Sequence, residues 1–224
     1  MFIHKHPYQP FIRPDTEKLI VGTLPPPRFS TGELLAKDVD IQYGSYYNSL
    51  WSIIDKIHDL GLSYDNSDKA ISERKRYLIE NKIGICDVVK SAEREKVNAS
   101  DLGMKNIELR DVIRYLKEYP NVHTLLFTGG NSKNGPEYFF RKLLKNYNMK
   151  LHVVSNEVPR IHEFYLDRED GVESGRRIKT VSLTSASGSA NRAIGSMPLY
   201  QQLKNKNPDF TTNDFRVMQY REFF

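Results

Sequence analysis

Lys18-Leu19-Ile20-Val21-Gly22, followed by Thr23-Leu24 and then Pro25-Pro26-Pro27, decides the fold. An apolar run too short for a helix, closed by a glycine and three prolines, predicts a buried strand that ends in a stiff loop. Downstream, Leu50, Trp51, Ile53, Ile54, Ile57 and Leu60 recur at helical spacing, and Gly61 lies where such a helix would stop. A more charged helix is expected over 67–81, and the apolar run 83–89 predicts a second strand. The rhythm continues with a helix over 107–119 that Pro120 ends, a strand over 122–127 reaching Gly129-Gly130, an amphipathic helix over 138–147, and strands over 151–155 and 180–184. Alternation of this kind predicts an α/β fold, a three-layer α/β/α arrangement around a central, mainly parallel sheet of about four strands. Function is then expected in loops at the carboxyl ends of the strands.

Two segments stand outside the rhythm. Residues 156–179 contain an Asp170-Gly171 turn signal and read as a hairpin insertion, acidic through Glu163, Asp167, Glu169, Asp170 and Glu173. Residues 210–224 read as a terminal helix capped near Thr212. Neither forms a repeat or a second core, so one domain is expected over 1–224.

Lysine and arginine outnumber the acidic residues 33 to 28, a spread excess that permits polyanionic partners without demanding them. The lone Cys86 excludes a disulfide framework, a four-cysteine zinc site and an all-cysteine iron–sulfur cluster, and a reducing, cytoplasmic home follows. The first ten residues lack the apolar core of a signal peptide, and no stretch approaches the roughly 20 apolar residues that span a membrane. His4 and His6 have no nearby cluster of ligands, and His58, His123, His152 and His162 are scattered, so no metal is expected. Gly129-Gly130-Asn131-Ser132 lacks the Lys-Ser ending of a phosphate loop, no Gly-x-Gly-x-x-Gly follows a strand, and Ser187-Gly188-Ser189 is not a nucleophile elbow.

Three loops can carry chemistry. The first, 22–29, sets a cation, Arg28, and a ring, Phe29, after a rigid proline turn. The second, Gln42-Tyr43-Gly44-Ser45-Tyr46-Tyr47-Asn48-Ser49-Leu50-Trp51, packs tyrosines, an amide and a tryptophan together; aromatic faces suit unstacked bases, although Asn48 or Ser45 suits a helix cap equally and Trp51 suits the core. The third, 183–192, is small and rich in hydroxyls, which allows a nucleic-acid backbone to approach closely, with Arg192 adding charge.

Taken in order, these loops resemble the uracil-DNA glycosylase superfamily, and most closely its hypoxanthine-type branch. That branch has a Gly-Ser-Met-Pro-Gly loop after the first strand, to which Gly22-Thr23-Leu24-Pro25-Pro26 is similar. Its Asn-x-Phe-Trp segment is matched by Asn48-Ser49-Leu50-Trp51, and its Trp-Asp-Val with a following Glu-Arg-Glu by Cys86-Asp87-Val88 and Glu93-Arg94-Glu95. Thr128-Gly129-Gly130, the early His6-Pro7 and the loop 185–191, set against the family's Ser-Thr-Ser-Pro-Ala-Asn, complete the likeness.

The resemblance implies a uracil-DNA glycosylase-like fold and a monofunctional enzyme of base-excision repair that needs no cofactor, acts as a monomer on DNA and removes a deaminated base, uracil or hypoxanthine/xanthine. It implies that Asn48 is catalytic, that Leu24, Pro25, Phe29, Tyr47 and Asp87 surround the base, and that Arg28, Ser185, Ser187, Ser189, Asn191 and Arg192 hold DNA. The chain departs from the family where Pro26 replaces a loop glycine, deleting an amide, and where Thr184 stands in place of proline. A non-catalytic nucleic-acid or nucleotide-binding protein that retains the fold, and a hydrolase of free nucleosides, are the competing readings.

Overall fold

The computed structural model describes residues 1–98, 100–166 and 175–224. Its strands, in chain order, are β1 (Phe2–Lys5), β2 (Lys18–Val21), β3 (Ile83–Ile85), β4 (Val89–Arg94), β5 (Met104–Leu109), β6 (Thr124–Phe127), β7 (His152–Ser155), β8 (Arg160–Leu166) and β9 (Arg176–Ser182). The helices are α1 (Arg28–Thr31), α2 (Leu50–His58), α3 (Asp68–Glu80), α4 (Val112–Glu118), α5 (Pro136–Lys145), α6 (Asn191–Gly195), α7 (Pro198–Lys206) and α8 (Thr212–Tyr220). Backbone contacts divide the chain into two compact units, each built from two separate stretches: Met1–Glu33 with Tyr77–Leu183, and Leu34–Arg76 with Thr184–Phe224. No helix among the described residues is long and apolar enough to cross a membrane.

The first unit contains a six-stranded sheet in the order β3-β2-β6-β9-β8-β7. The opening strand lies inside it, paired in parallel with β3 and β6. Leu19, Ile20 and Val21 are wholly buried, the continuous apolar pattern of a strand covered on both faces. The fold is α/β as expected, but the sheet has six strands rather than about four, and it is mixed. Its parallel part, β3-β2-β6-β9, is extended by β8 and β7, each antiparallel to its neighbour. The segment 156–179 supplies β8 and the start of β9, which pair from Arg160↔Ser182 to Leu166↔Arg176, while β7 is the strand expected over 151–155. Buried His162, Phe164 and Leu166 alternate with less buried neighbours along β8, and the polar histidine in that series conceals the strand pattern. Of the acidic residues in this stretch, Glu163 lies on β8, opposite Lys179. Asp167, Glu169, Asp170 and Glu173, with the Asp170-Gly171 turn signal, lie outside the described residues.

A second sheet, β1-β4-β5, is antiparallel throughout. It corrects two expectations. The run 83–89 is not one strand: β3 ends at Ile85 and β4 begins at Val89 in the other sheet, with Asp87 at the crossing. The helix expected over 107–119 starts only at Val112, where the Asp111 side chain accepts the Arg114 N–H, because residues 104–109 are taken by the ladder with β4. Side chains from β2, β6, β8 and β9 join those of α4 and α5 in one apolar core.

In the second unit, α2 and α8 pack together, with the exposed Lys56 and Asp214 joined at 2.6 Å. The terminal helix is capped by Thr211, whose hydroxyl accepts the Asp214 N–H while Asp214 accepts the Thr211 N–H, the reciprocal arrangement of a capping box.

Candidate functional site

The second unit holds a pocket of ≈ 360 Å³ lined by Tyr43, Gly44, Ser45, Tyr46, Asn48, Ser49, Trp51, Ser52, Tyr64 and Arg74. Buried Asp38 builds its wall: Oδ2 accepts the Leu35 N–H (2.9 Å) and Oδ1 the Tyr46 N–H (2.8 Å). Gly44 is obligatory, since a Cβ there would lie 1.9 Å from the Val39 carbonyl oxygen. Trp51 enters the core and donates its Nε1–H to the Gln42 carbonyl (2.9 Å). At the back, fully buried Arg74 donates through Nη1 to the carbonyls of Ser63 (2.9 Å) and Ala70 (2.8 Å), between the rings of Tyr64 (5.0 Å) and Trp51 (5.5 Å). Its Nε–H has no partner among the described residues. Burial lowers the Arg74 pKa, while burial and the Asp55 carboxylate hold the proton on Tyr64.

Asn48 sits at the rim, just before α2. Its Oδ1 accepts the Leu50 N–H (2.9 Å), and its Nδ2 donates to no protein group among the described residues. Its backbone pairs with Ser187, and the Ser49 N–H donates to the Ala186 carbonyl (2.9 Å). The serine loop is clamped from below by Arg216 of α8, which is almost wholly buried. Its guanidinium donates to the carbonyls of Ser185 (2.8 Å) and Ser187 (3.0 Å) and to Asn191 Oδ1 (2.9 Å). The hydroxyls of Ser187 and Ser189 meet at 3.0 Å on the exposed side. Thr184, where a proline was expected, uses the amide that proline lacks: its N–H donates to Gln219 Oε1 (2.7 Å).

The remaining candidates belong to the first unit. Asp87 is buried and spoken for on both oxygens: Oδ1 accepts the Gly22 N–H (2.8 Å), and Oδ2 lies 2.9 Å from His6 Nε2. The Tyr8 N–H donates to His6 Nδ1 (3.1 Å), so the ring proton sits on Nε2, facing Asp87. The proline loop turns into α1, where the Pro26 carbonyl accepts the Phe29 N–H (3.0 Å). Phe29 is only 6 % exposed and packs edge-on against Tyr8, with the Arg28 guanidinium 5.3 Å from its ring centre. Leu24 packs on the core of this unit. Thr23 donates its hydroxyl to Asp101 (3.0 Å), whose carboxyl is pushed up to about 6, chiefly by burial. Cys86 is a buried core residue whose thiol burial raises to about 12.

Thus Asn48 meets Ser187, with Ser185, Ser189 and Asn191 in the same loop and Tyr47, 67 % exposed, beside the pocket. Arg192 is exposed on α6. Leu24, Pro25, Arg28, Phe29 and Asp87 cluster around the proline loop of the first unit. Sequence reasoning missed Arg216, Arg74 and Asp101, and named His6 without its partner. The available signal for Arg216 was a charged residue flanked by Phe215 and Val217 in the terminal helix. Among the described residues, no group of three or more His, Cys, Asp or Glu is placed to hold a metal ion.

No family model matches the chain. It is 30 % identical over 132 residues, 57 % of its own length and 73 % of the relative's, to a protein of Methanosarcina barkeri (strain Fusaro / DSM 804) named hypoxanthine DNA glycosylase. Identity at this level over most of the relative places the two in one lineage: the chain belongs to the DNA glycosylase family that this archaeal protein represents.

Proposed function

We propose that the chain is a monofunctional DNA glycosylase with a uracil-DNA glycosylase-like fold, which flips out a deaminated base, uracil or hypoxanthine/xanthine, and hydrolyses its N-glycosidic bond. The observation that carries the reading is Asn48, held at the rim of an aromatic-walled pocket and tied through its backbone to the serine loop. Flipping is required because the anomeric carbon is out of reach within the base stack. With Oδ1 fixed by the Leu50 N–H, its second lone pair and both Nδ2 hydrogens are directed by the backbone. Oδ1 accepts from the attacking water, and Nδ2 donates to the base as negative charge grows on it. Tyr47 supplies an exposed ring for stacking. Ser185, Ser187, Ser189 and Asn191 receive the phosphodiester backbone on a loop that Arg216 keeps rigid, and Arg28 and Arg192 add positive charge. In the first unit, Asp87 fixes the amide of Gly22 at the head of the proline loop.

Alkali-induced cleavage of labelled oligonucleotides carrying uracil, hypoxanthine or xanthine tests the reading. Release of one base, reduced about 100-fold or more in Asn48→Ala with circular dichroism unchanged, is the expected result. The engagement of Asn48 Oδ1 by the Leu50 N–H favours a second reading, binding without chemistry. Salt-sensitive DNA binding with no release from any of the three substrates would replace the first reading by the second.

A further inference from the structure

The first unit carries a separate groove of ≈ 420 Å³, lined by one face of α5 (Tyr138, Arg141, Lys142, Lys145) and by the turn through Met149, Lys150 and Leu151. Leu144, Met149 and Leu151 form an apolar floor. No carboxylate is among the lining residues. Arg141 is engaged, its Nε donating to Glu137 (2.8 Å) and its Nη2 lying 3.0 Å from His162 Nε2. Glu137 itself is wholly buried and also binds Arg160 and Ser182, so it offers nothing to the lysines. Burial works against its charge, yet hydrogen bonds from Ser182 and Arg141 hold its carboxyl below the usual range.

Lys142, Lys145 and Lys150 are exposed and have no carboxylate within ion-pair reach among the described residues. This contrasts with Lys82, Lys90 and Lys105, each paired with a glutamate elsewhere on the same unit. Tyr138 is half-buried, and its ring lies 4.6 Å from the Lys142 Nζ. Tyr138, Arg141, Lys142 and Lys145 follow the i, i+3, i+4, i+7 spacing of a single helix face. Two unpaired cations, Lys142 and Lys145, about one helical turn, roughly 5 Å, apart, with Lys150 on the adjoining turn and an aromatic ring and an apolar floor beside them, match a single strand with its phosphates on the lysines and a base on the ring.

We propose that the α5 groove binds the sugar–phosphate backbone of a single DNA strand, with one base stacked on Tyr138. The choice of DNA over other polyanions rests on the glycosylase reading above; the charge and shape of the groove do not. The test is fluorescence anisotropy of a labelled, undamaged oligothymidylate, comparing the native chain with the triple variant Lys142→Gln/Lys145→Gln/Lys150→Gln. Its control is a second triple variant, Lys82→Gln/Lys90→Gln/Lys105→Gln, which removes the same net charge from paired lysines.

The groove variant should bind about 10-fold more weakly, with a log–log salt slope shallower by about 2, while the control changes neither by as much. Tyr138→Phe should keep the affinity and Tyr138→Leu should lose it. Equal losses in the two triple variants, or none in the groove variant, overturn the proposal. Displacement of the oligonucleotide by poly-glutamate as readily as by unlabelled oligothymidylate also overturns it, and assigns the groove to an acidic peptide. Base release is scored separately on lesion-bearing strands. Loss of groove binding with release intact removes only this inference; absence of release with groove binding intact removes only the glycosylase reading.

Discussion

Replacing Asp101 by asparagine should change how the protein responds to acid, because Asp101 and His4 oppose each other. Both flank Arg94, whose Nε donates to His4 Nδ1 (2.9 Å) and whose charge acts on the Asp101 carboxyl. Burial, then the charges of Arg94 and His6, lower the His4 pKa from 6.5 to about 4. A lowered pKa means that the stabilisation is present above the unfolded value of 6.5 and is lost as pH falls toward 4. Burial raises Asp101 from 3.8 to about 6. A raised pKa means the reverse: its contribution is full below 3.8 and is lost as pH rises through about 6. At about 1.4 kcal/mol per pH unit, each is worth roughly 3 kcal/mol, with about 2 kcal/mol of it falling between pH 6.5 and 4.5. In the native chain the contributions of these two groups therefore nearly cancel across that window. Asp101→Asn, which still accepts from Thr23, should be more stable than the native chain at pH 7 and should lose about 2 kcal/mol more than the native chain on acidification to pH 4.5. Urea unfolding followed by circular dichroism at several pH values measures both. A variant whose stability falls across the window no further than the native chain's would refute the opposition of the two groups.

Arg216→Met should destabilise the protein by about 2–4 kcal/mol, since it removes charge-assisted bonds to the serine loop; if base release falls no further than stability explains, the clamp has no part in activity. Gly44→Ala forces its new Cβ into the Val39 carbonyl and should cost about 3 kcal/mol or more, read as a lower melting temperature. Thr184→Pro, which restores the family's residue, should weaken rather than strengthen the chain by roughly 1–2 kcal/mol, because it removes the N–H that Gln219 accepts.

The strand 18–21 and the helix 50–58 were legible because each satisfies one period without interruption, and the terminal helix announced itself through its cap, at Thr211 rather than Thr212. β8 was hidden by buried His162, and β5 by the single alternation of Ile107 and Leu109 among Lys105, Asn106 and Glu108, with Asn106 in the left-handed region. Within the site, Asn48 could be named through the resemblance of Asn48-Ser49-Leu50-Trp51, and the serine loop because hydroxyl types crowd after a strand. Their supports could not, because long-range hydrogen bonds leave no local pattern. Asp87 finds His6 81 positions away, and Arg216 reaches Ser185 across 31. Arg74 was hidden differently: its acceptors are main-chain carbonyls, which every residue carries.

The division of the second unit between Leu34–Arg76 and Thr184–Phe224 has a consequence for biosynthesis. On the ribosome, the tyrosine-rich segment with Asn48 emerges more than a hundred residues before the serine loop beside it and the arginine that clamps that loop. The first unit is complete in sequence by Leu183 and is free to fold while the rest is being made. The pocket rim is thus assembled only after the first unit's sequence is complete, and a nascent chain that has reached Leu183 carries Asn48 without the loop that holds it in place.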